Sequence, residues 1–122
     1  MTHLEKVREL RARTDIHFNC CQSVLVTFAR EMGLTEQQAF DLGANFGSGM
    51  RCGSACGALT GGLMVLGMTN CPPERADAFR NEFRAGHGDI NCAALLKASH
   101  DAGIPRKEHC DGLVFEVVEA LE

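Results

Sequence analysis

Apolar side chains along this chain return every three or four residues rather than every second one, and that spacing predicts helix nearly throughout. Leu4, Val7 and Leu10 mark a short first helix with a charged outer face. Cys21, Val24, Leu25, Phe28 and Met32 mark a second, with Gly33 as its stop. Thr35 followed by Gln38 reads as a capping box that opens a third, with Ala39, Leu42 and Phe46 turned inward. The glycine-rich run from Gly47 to Ser54 is predicted as a loop. A fourth helix is expected from about Ala55 to Leu66. The fifth is set by Pro72-Pro73, carries Ala76, Phe79 and Phe83, and breaks at Gly86-His87-Gly88. A sixth is expected from Asn91 to Ala102, and a seventh from about Glu108 to Leu121 with Leu113, Val114, Val117, Val118 and Leu121 buried. No segment sustains the alternation of a strand. The expected fold is all-α: one domain over residues 1–122, a bundle of about six to seven short helices.

Composition narrows what such a bundle can do. The chain has 122 residues, 45% hydrophobic and 23% charged, enough for one core and not the profile of a disordered chain. Its net charge is −4 and the charges are mixed, so there is no basic stripe for nucleic acid. The longest apolar stretch, Ala58 to Met68, is interrupted by Gly61 and Gly62 and falls short of the ~20 residues that span a bilayer. The first residues, MTHLEKVRELRAR, lack an apolar leader segment, so a cytoplasmic protein without membrane insertion is expected.

Seven cysteines change the picture. In a reducing compartment they are kept as thiols, and a high count there points to metal binding or redox chemistry. Cys20, Cys56, Cys92 and Cys110 each fall in the first turn of a different predicted helix, on its apolar side. Four thiols from four helices are therefore expected to converge at one end of the core. The unpaired N–H groups and positive dipole of a helix start stabilise a thiolate, the form that attacks disulfides and binds metals. Cys52 and Cys56 lie four apart and are candidates for a dithiol, with Cys56 attacking and Cys52 resolving, or for two ligands of one metal. Gly57 and Gly61 also lie four apart, and an interior helix glycine costs ~1 kcal/mol relative to alanine. That is tolerated where the backbone closely approaches another helix or a cofactor, and both are candidate cofactor-binding positions. Cys71, before two prolines, is expected to be inert. His17 and His109 are expected to be solvated, and His87 is expected either to support a cluster from behind its ligands or to be a turn residue.

The segment Cys56-Gly57-Ala58-Leu59-Thr60-Gly61 resembles the CGAxxG signature of the C_GCAxxG_C_C family of redox-active proteins. The likeness continues in Phe18-Asn19-Cys20-Cys21-Gln22-Ser23-Val24, in Phe46-Gly47-Ser48-Gly49, and at Asn91-Cys92 and Cys110. Cys21 stands where the family usually carries alanine, and Cys52 and Cys71 are additional. The resemblance implies that Cys20, Cys56, Cys92 and Cys110 are the functional set. Three uses of such a set remain open. Four thiolates are the common ligands of an iron–sulfur cluster, which would make the protein an electron carrier or oxidoreductase with an unidentified redox partner protein. A metal-free thiol–disulfide or sulfur-transfer protein would use Cys52 and Cys56. A closed tetrahedral zinc or other soft-metal site would use the same four sulfurs. A homodimer is compatible with each.

Overall fold

The computed structural model describes all 122 residues, Met1–Glu122. Seven α-helices follow in order: α1 (His3–Ala12), α2 (Cys20–Thr27), α3 (Glu36–Gly43), α4 (Gly57–Met68), α5 (Pro73–His87), α6 (Cys92–Asp101) and α7 (Arg106–Leu121). A tight turn over Gly49–Gly53 lies between α3 and α4. There are no named strands, and one isolated antiparallel bridge joins Ala55 to Asn91. No helix is long and apolar enough to cross a membrane.

The first three helix starts are written in the local sequence. Thr2 with Glu5, Asn19 with Gln22 and Thr35 with Gln38 each form a capping box, in which side chain and backbone satisfy each other's free amides. Helix α2 is the centre of the molecule. Its residues Cys21 through Thr27 are all buried, and it packs against α1, α3, α4 and α7. Two of the polar members of that run, Ser23 and Thr27, bond back along the chain to backbone carbonyls one turn earlier. Ser23 donates to the Asn19 carbonyl at 2.8 Å, and Thr27 to the Ser23 carbonyl at 2.7 Å. Around α2 lie Val7 and Leu10 from α1, Ala58 and Leu59 from α4, and Leu113, Val114, Val117 and Val118 from α7.

Four boundaries differ most from those the pattern predicts. Helix α2 ends at Thr27 rather than at Gly33, with Phe28 to Gly33 continuing as turns. Helix α3 ends at Gly43, so Leu42 is 48% exposed rather than inward, and Ala39 and Gly43 take the buried face. Helix α4 starts at Gly57, two residues late, because Cys56 is held as its N-cap by the bridge to the 90–92 segment. Helix α7 starts at Arg106, because Pro105 supplies a fixed φ and is its N-cap. Cys110 therefore sits in the second turn of α7, not the first.

Helix α4 reaches α2 at close range because its facing residues are glycines. A Cβ on Gly57 would stand 2.7 Å from the Phe46 carbonyl oxygen and 3.3 Å from the Cys20 Cβ. One on Gly61 would stand 3.1 Å from the Val24 Cβ and 3.2 Å from the Cys21 carbonyl oxygen. Of the two sources of close approach the sequence leaves open, both glycines meet a helix. Gly57 in addition borders the cavity described below, which Gly61 does not.

Candidate functional site

The segment Asn19 to Gln22 fixes the first thiol. The Asn19 side-chain oxygen accepts from the Gln22 amide at 2.7 Å, and Gln22 Oε1 accepts from the Asn19 amide at 2.9 Å. The second halves of both side chains then tie α2 to α3: Asn19 Nδ2 donates to the Gly43 carbonyl at 3.1 Å, and Gln22 Nε2 to the Phe40 carbonyl at 3.0 Å. Cys20, directly after the cap, is the first residue of α2.

Cys56 and Cys92 are placed by one backbone device. The Cys92 amide donates to the Ser54 carbonyl at 2.6 Å, and the Cys56 amide to the Ile90 carbonyl at 2.8 Å. This crossed pair lays 54–56 alongside 90–92, so Cys56 ends as the N-cap of α4 while Cys92 begins α6. The Asp89 carboxylate secures the second segment by accepting from the Ile90 and Asn91 amides at 2.7 and 2.9 Å.

The turn leading into this crossing is strained. Ser48, Gly49, Met50 and Arg51 have φ of 52°, 63°, 58° and 65°, a full left-handed turn of which three members carry side chains. Each non-glycine residue there costs ~1–2 kcal/mol. Ser54 closes the turn, its amide donating to the Gly49 carbonyl at 2.7 Å. Gly49 has no substitute: a Cβ on it would stand 2.6 Å from the Cys92 Cβ and clash with the Ser54 carbonyl. Strain of this kind persists only where surrounding structure imposes it, and it gathers at functional sites.

Cys20, Cys56, Cys92 and Cys110 all line one cavity of about 450 Å³. Leu10, Phe18, Leu95, Leu96 and Leu113 form its apolar wall, and Gly57 borders it. Cys52 is exposed and outside the lining, so the cavity does not bring it together with the buried Cys56. Cys21 is fully buried in the core, and Cys71 packs partly buried against it. All seven thiols are free. No three His, Cys, Asp or Glu side chains stand close enough to share a single metal ion as they lie. His17 and His109 both border the cavity, His17 exposed as expected and His109 half-buried, while His87 pairs with Glu116 and packs on Phe83.

The helix starts do not make thiolates of the set, as the sequence predicts they would. Burial pushes the Cys56 thiol up, with the backbone amides of Leu59 and Ala58 pulling only partly the other way. Burial and the neighbouring Cys110 raise Cys92 as well. Cys20 is raised well above the usual thiol range by its hydrogen bond toward Cys110 and by burial. Cys110 alone is lowered, to about 6. The causes are proton donation from Cys20, followed by the charges of Arg11 and Arg106, with burial opposing them. At Cys56 dehydration outweighs the amides of the helix start, and at Cys20 and Cys92 burial and the neighbouring Cys110 outweigh the charges of Arg11 and Arg106.

Those charges come from residues with no motif. Arg11 of α1, its side chain only 9% exposed, donates from Nε to Asp111 at 2.7 Å and from Nη1 to the Phe18 carbonyl at 2.8 Å. It thereby ties the approach to Cys20 to the residue after Cys110. Arg106, first in α7, donates to the Ser48 hydroxyl at 3.2 Å. Partners about 100 and 58 positions apart leave no local signal. The Pro105 that starts α7 is the one clue that would have placed Arg106 at the site.

An all-helical domain with four cysteines walling a cation-bordered cavity has the form of a thiol-based redox protein. The sequence model of the C_GCAxxG_C_C family, described as "Putative redox-active protein", matches residues 18–122, and the chain belongs to that family. Comparisons with curated proteins and with solved structures gave no match. Helix α1 and Arg11 lie ahead of the matched residues.

Proposed function

We propose that this redox-active protein holds an iron–sulfur cluster through Cys20, Cys56, Cys92 and Cys110, and exchanges electrons with a redox partner protein. The observation that carries the reading is that four cysteines from four separate elements wall one cavity whose charged lining is cationic throughout. The donor set fits: four thiolates are the usual ligands, and such a cluster supplies one-electron transfer. Around it, Arg11 and Arg106 offset the negative charge of the ligand set, and Leu95, Leu96 and Leu113 restrict water. A single zinc ion is less well supported. Its Zn–S distance of ~2.3 Å requires thiolates packed around one point, and no three donors are so placed.

One observation favours a second reading, a metal-free thiol–disulfide protein. The lowered Cys110 and the raised Cys20 interact, as an attacking thiolate and its protonated partner would. This makes Cys20 and Cys110 the working pair in place of Cys52 and Cys56. The test is anaerobic purification with the visible spectrum and assays of iron, sulfide and zinc on one sample. The chain has no Trp or Tyr, so protein absorbance is weak. Equal iron and sulfide, lost in both Cys20→Ser and Cys110→Ser, is the expected result. A colourless protein free of iron and sulfide, with a Cys20–Cys110 disulfide after mild oxidation, overturns the cluster in favour of the second reading.

A further inference from the structure

Two of the four thiols are held by a backbone device and two are not. Cys56 and Cys92 are set by the crossed amide bonds between 54–56 and 90–92. Cys20 and Cys110 sit on α2 and α7, and apart from the contact between the two sulfurs no hydrogen bond joins those helices directly. The bridge between them comes from a third element, α1. Arg11 donates from Nη1 to the Phe18 carbonyl, two residues ahead of Cys20, and from Nε to Asp111, the residue after Cys110. Its own carbonyl accepts from Lys107 of α7 at 3.2 Å. Among the cations lining the cavity Arg11 is the buried one: its side chain is 9% exposed, against 40% for Arg13 and 68% for Lys107, and Arg106 is exposed as well. Val7 and Leu10 anchor α1 in the core beside it.

We propose that Arg11 is a positioning residue of the thiol site: by clamping the Phe18 carbonyl to the Asp111 carboxylate it sets Cys20 against Cys110. The planar guanidinium holds its donors at fixed angles, so two acceptors bound to one fork are fixed relative to each other. A lysine at this place would keep the charge but, as a single point of donation, would not hold both acceptors. Groups that orient ligating side chains from behind in this way matter nearly as much as the ligands. Helix α1 is thereby part of the site, although the family model begins after it, at residue 18. The assignment rests on the thiol site of the proposed function and holds whether its sulfurs bind a cluster or pair as a disulfide.

The test compares wild type, Arg11→Gln, Arg11→Lys and Val7→Ala, the last loosening α1 in the core without touching the clamp. In anaerobically purified protein that carries iron and sulfide, the rate of iron release to a chelator is followed. Release about tenfold faster or more is expected in Arg11→Gln, and faster than wild type in Arg11→Lys, while Val7→Ala releases as wild type does. Asp111→Asn, which opens one side of the clamp, must move in the same direction and serves if Arg11→Gln does not fold. Protein purified without iron and sulfide ends the cluster reading but not this one. The readout is then the equilibrium with oxidised dithiothreitol, to which the Cys20 and Cys110 thiols pass two electrons and two protons as they form one disulfide. A constant about tenfold smaller in Arg11→Gln upholds the clamp. In either assay, wild-type behaviour of Arg11→Gln, full recovery in Arg11→Lys, or an equal effect of Val7→Ala overturns it. So does a metal-free wild type that forms no Cys20–Cys110 disulfide.

Discussion

Arg11 and Asp111, a hundred residues apart, meet at 2.7 Å and join α1 to α7 directly behind the Cys20–Cys110 pair. Asp111 is shared, its second oxygen taking Lys107 at 2.9 Å. Removing the carboxylate leaves the nearly buried Arg11 without its partner, so Asp111→Asn is expected to lower stability by ~2 kcal/mol in urea unfolding at pH 7. Burial alone would raise Asp111, but the hydrogen bonds from Lys107 and Arg11 outweigh it and the net shift is downward. Its stabilisation is therefore complete above the unfolded carboxylate value of ~4 and is lost as pH falls below it. Urea unfolding at about pH 5 and about pH 3 should show wild type losing more stability than Asp111→Asn between the two.

Chemical labelling reads the thiol pair. Brief alkylation of the reduced, metal-free protein, mapped by mass spectrometry, should modify Cys110 ahead of Cys20, Cys56 and Cys92, with a rate that rises through a midpoint of about 6. Arg106→Gln should move that midpoint upward. Uniform labelling of the four would contradict the charge arrangement at the site.

Alkaline pH acts in the opposite sense through the buried thiols. Cys21 is pushed up to about 12 by burial, with Cys56 adding to it. A raised folded value means that its contribution is fully present below the unfolded thiol value of ~8.5 and is lost as pH rises toward 12. Thermal melts should therefore show declining stability above about pH 9. Cys21→Ala should be less stable at pH 7, by ~1 kcal/mol for the lost buried sulfur, yet decline less steeply above that pH.

The glycines of α4 should divide by their surroundings. A Cβ on Gly67 would meet nothing within 4 Å, so Gly67→Ala should gain up to ~1 kcal/mol from helix propensity, a rise of a few degrees in Tm. In Gly57→Ala the new methyl meets the Phe46 carbonyl oxygen at 2.7 Å, and a loss of ~1–3 kcal/mol is expected. Equal melting temperatures for the two variants would remove the close-approach explanation of the motif.

The helical periodicity and the capping residues made the fold legible, because each depends on side chains within one or two turns. The gathering of Cys20, Cys56, Cys92 and Cys110 was legible for the same reason: each lies near a helix start on the apolar side. What decides their chemistry was not. Arg11, Asp111, Arg106 and Ser48 act across long stretches of chain and look like ordinary surface residues in sequence. Ser48, Met50 and Arg51 give no sign of a left-handed turn, since glycine is the usual marker and only its neighbours Gly49 and Gly53 supply it. The inward role expected for Leu42 failed because α3 stops one residue later, where the Asn19 side-chain amide takes the Gly43 carbonyl.

The crossed hydrogen bonds between 54–56 and 90–92 close the excursion of α4 and α5 at its base, like the neck of a purse. Two sulfurs are held at the neck, while α4 above it is anchored separately by its packing on α2 and α7. The link at Cys71 and the outer face of α5 can therefore lengthen or change charge without altering the distance between Cys56 and Cys92. A Cβ at Gly49, by contrast, would strike the Ser54 carbonyl and the Cys92 side chain at once.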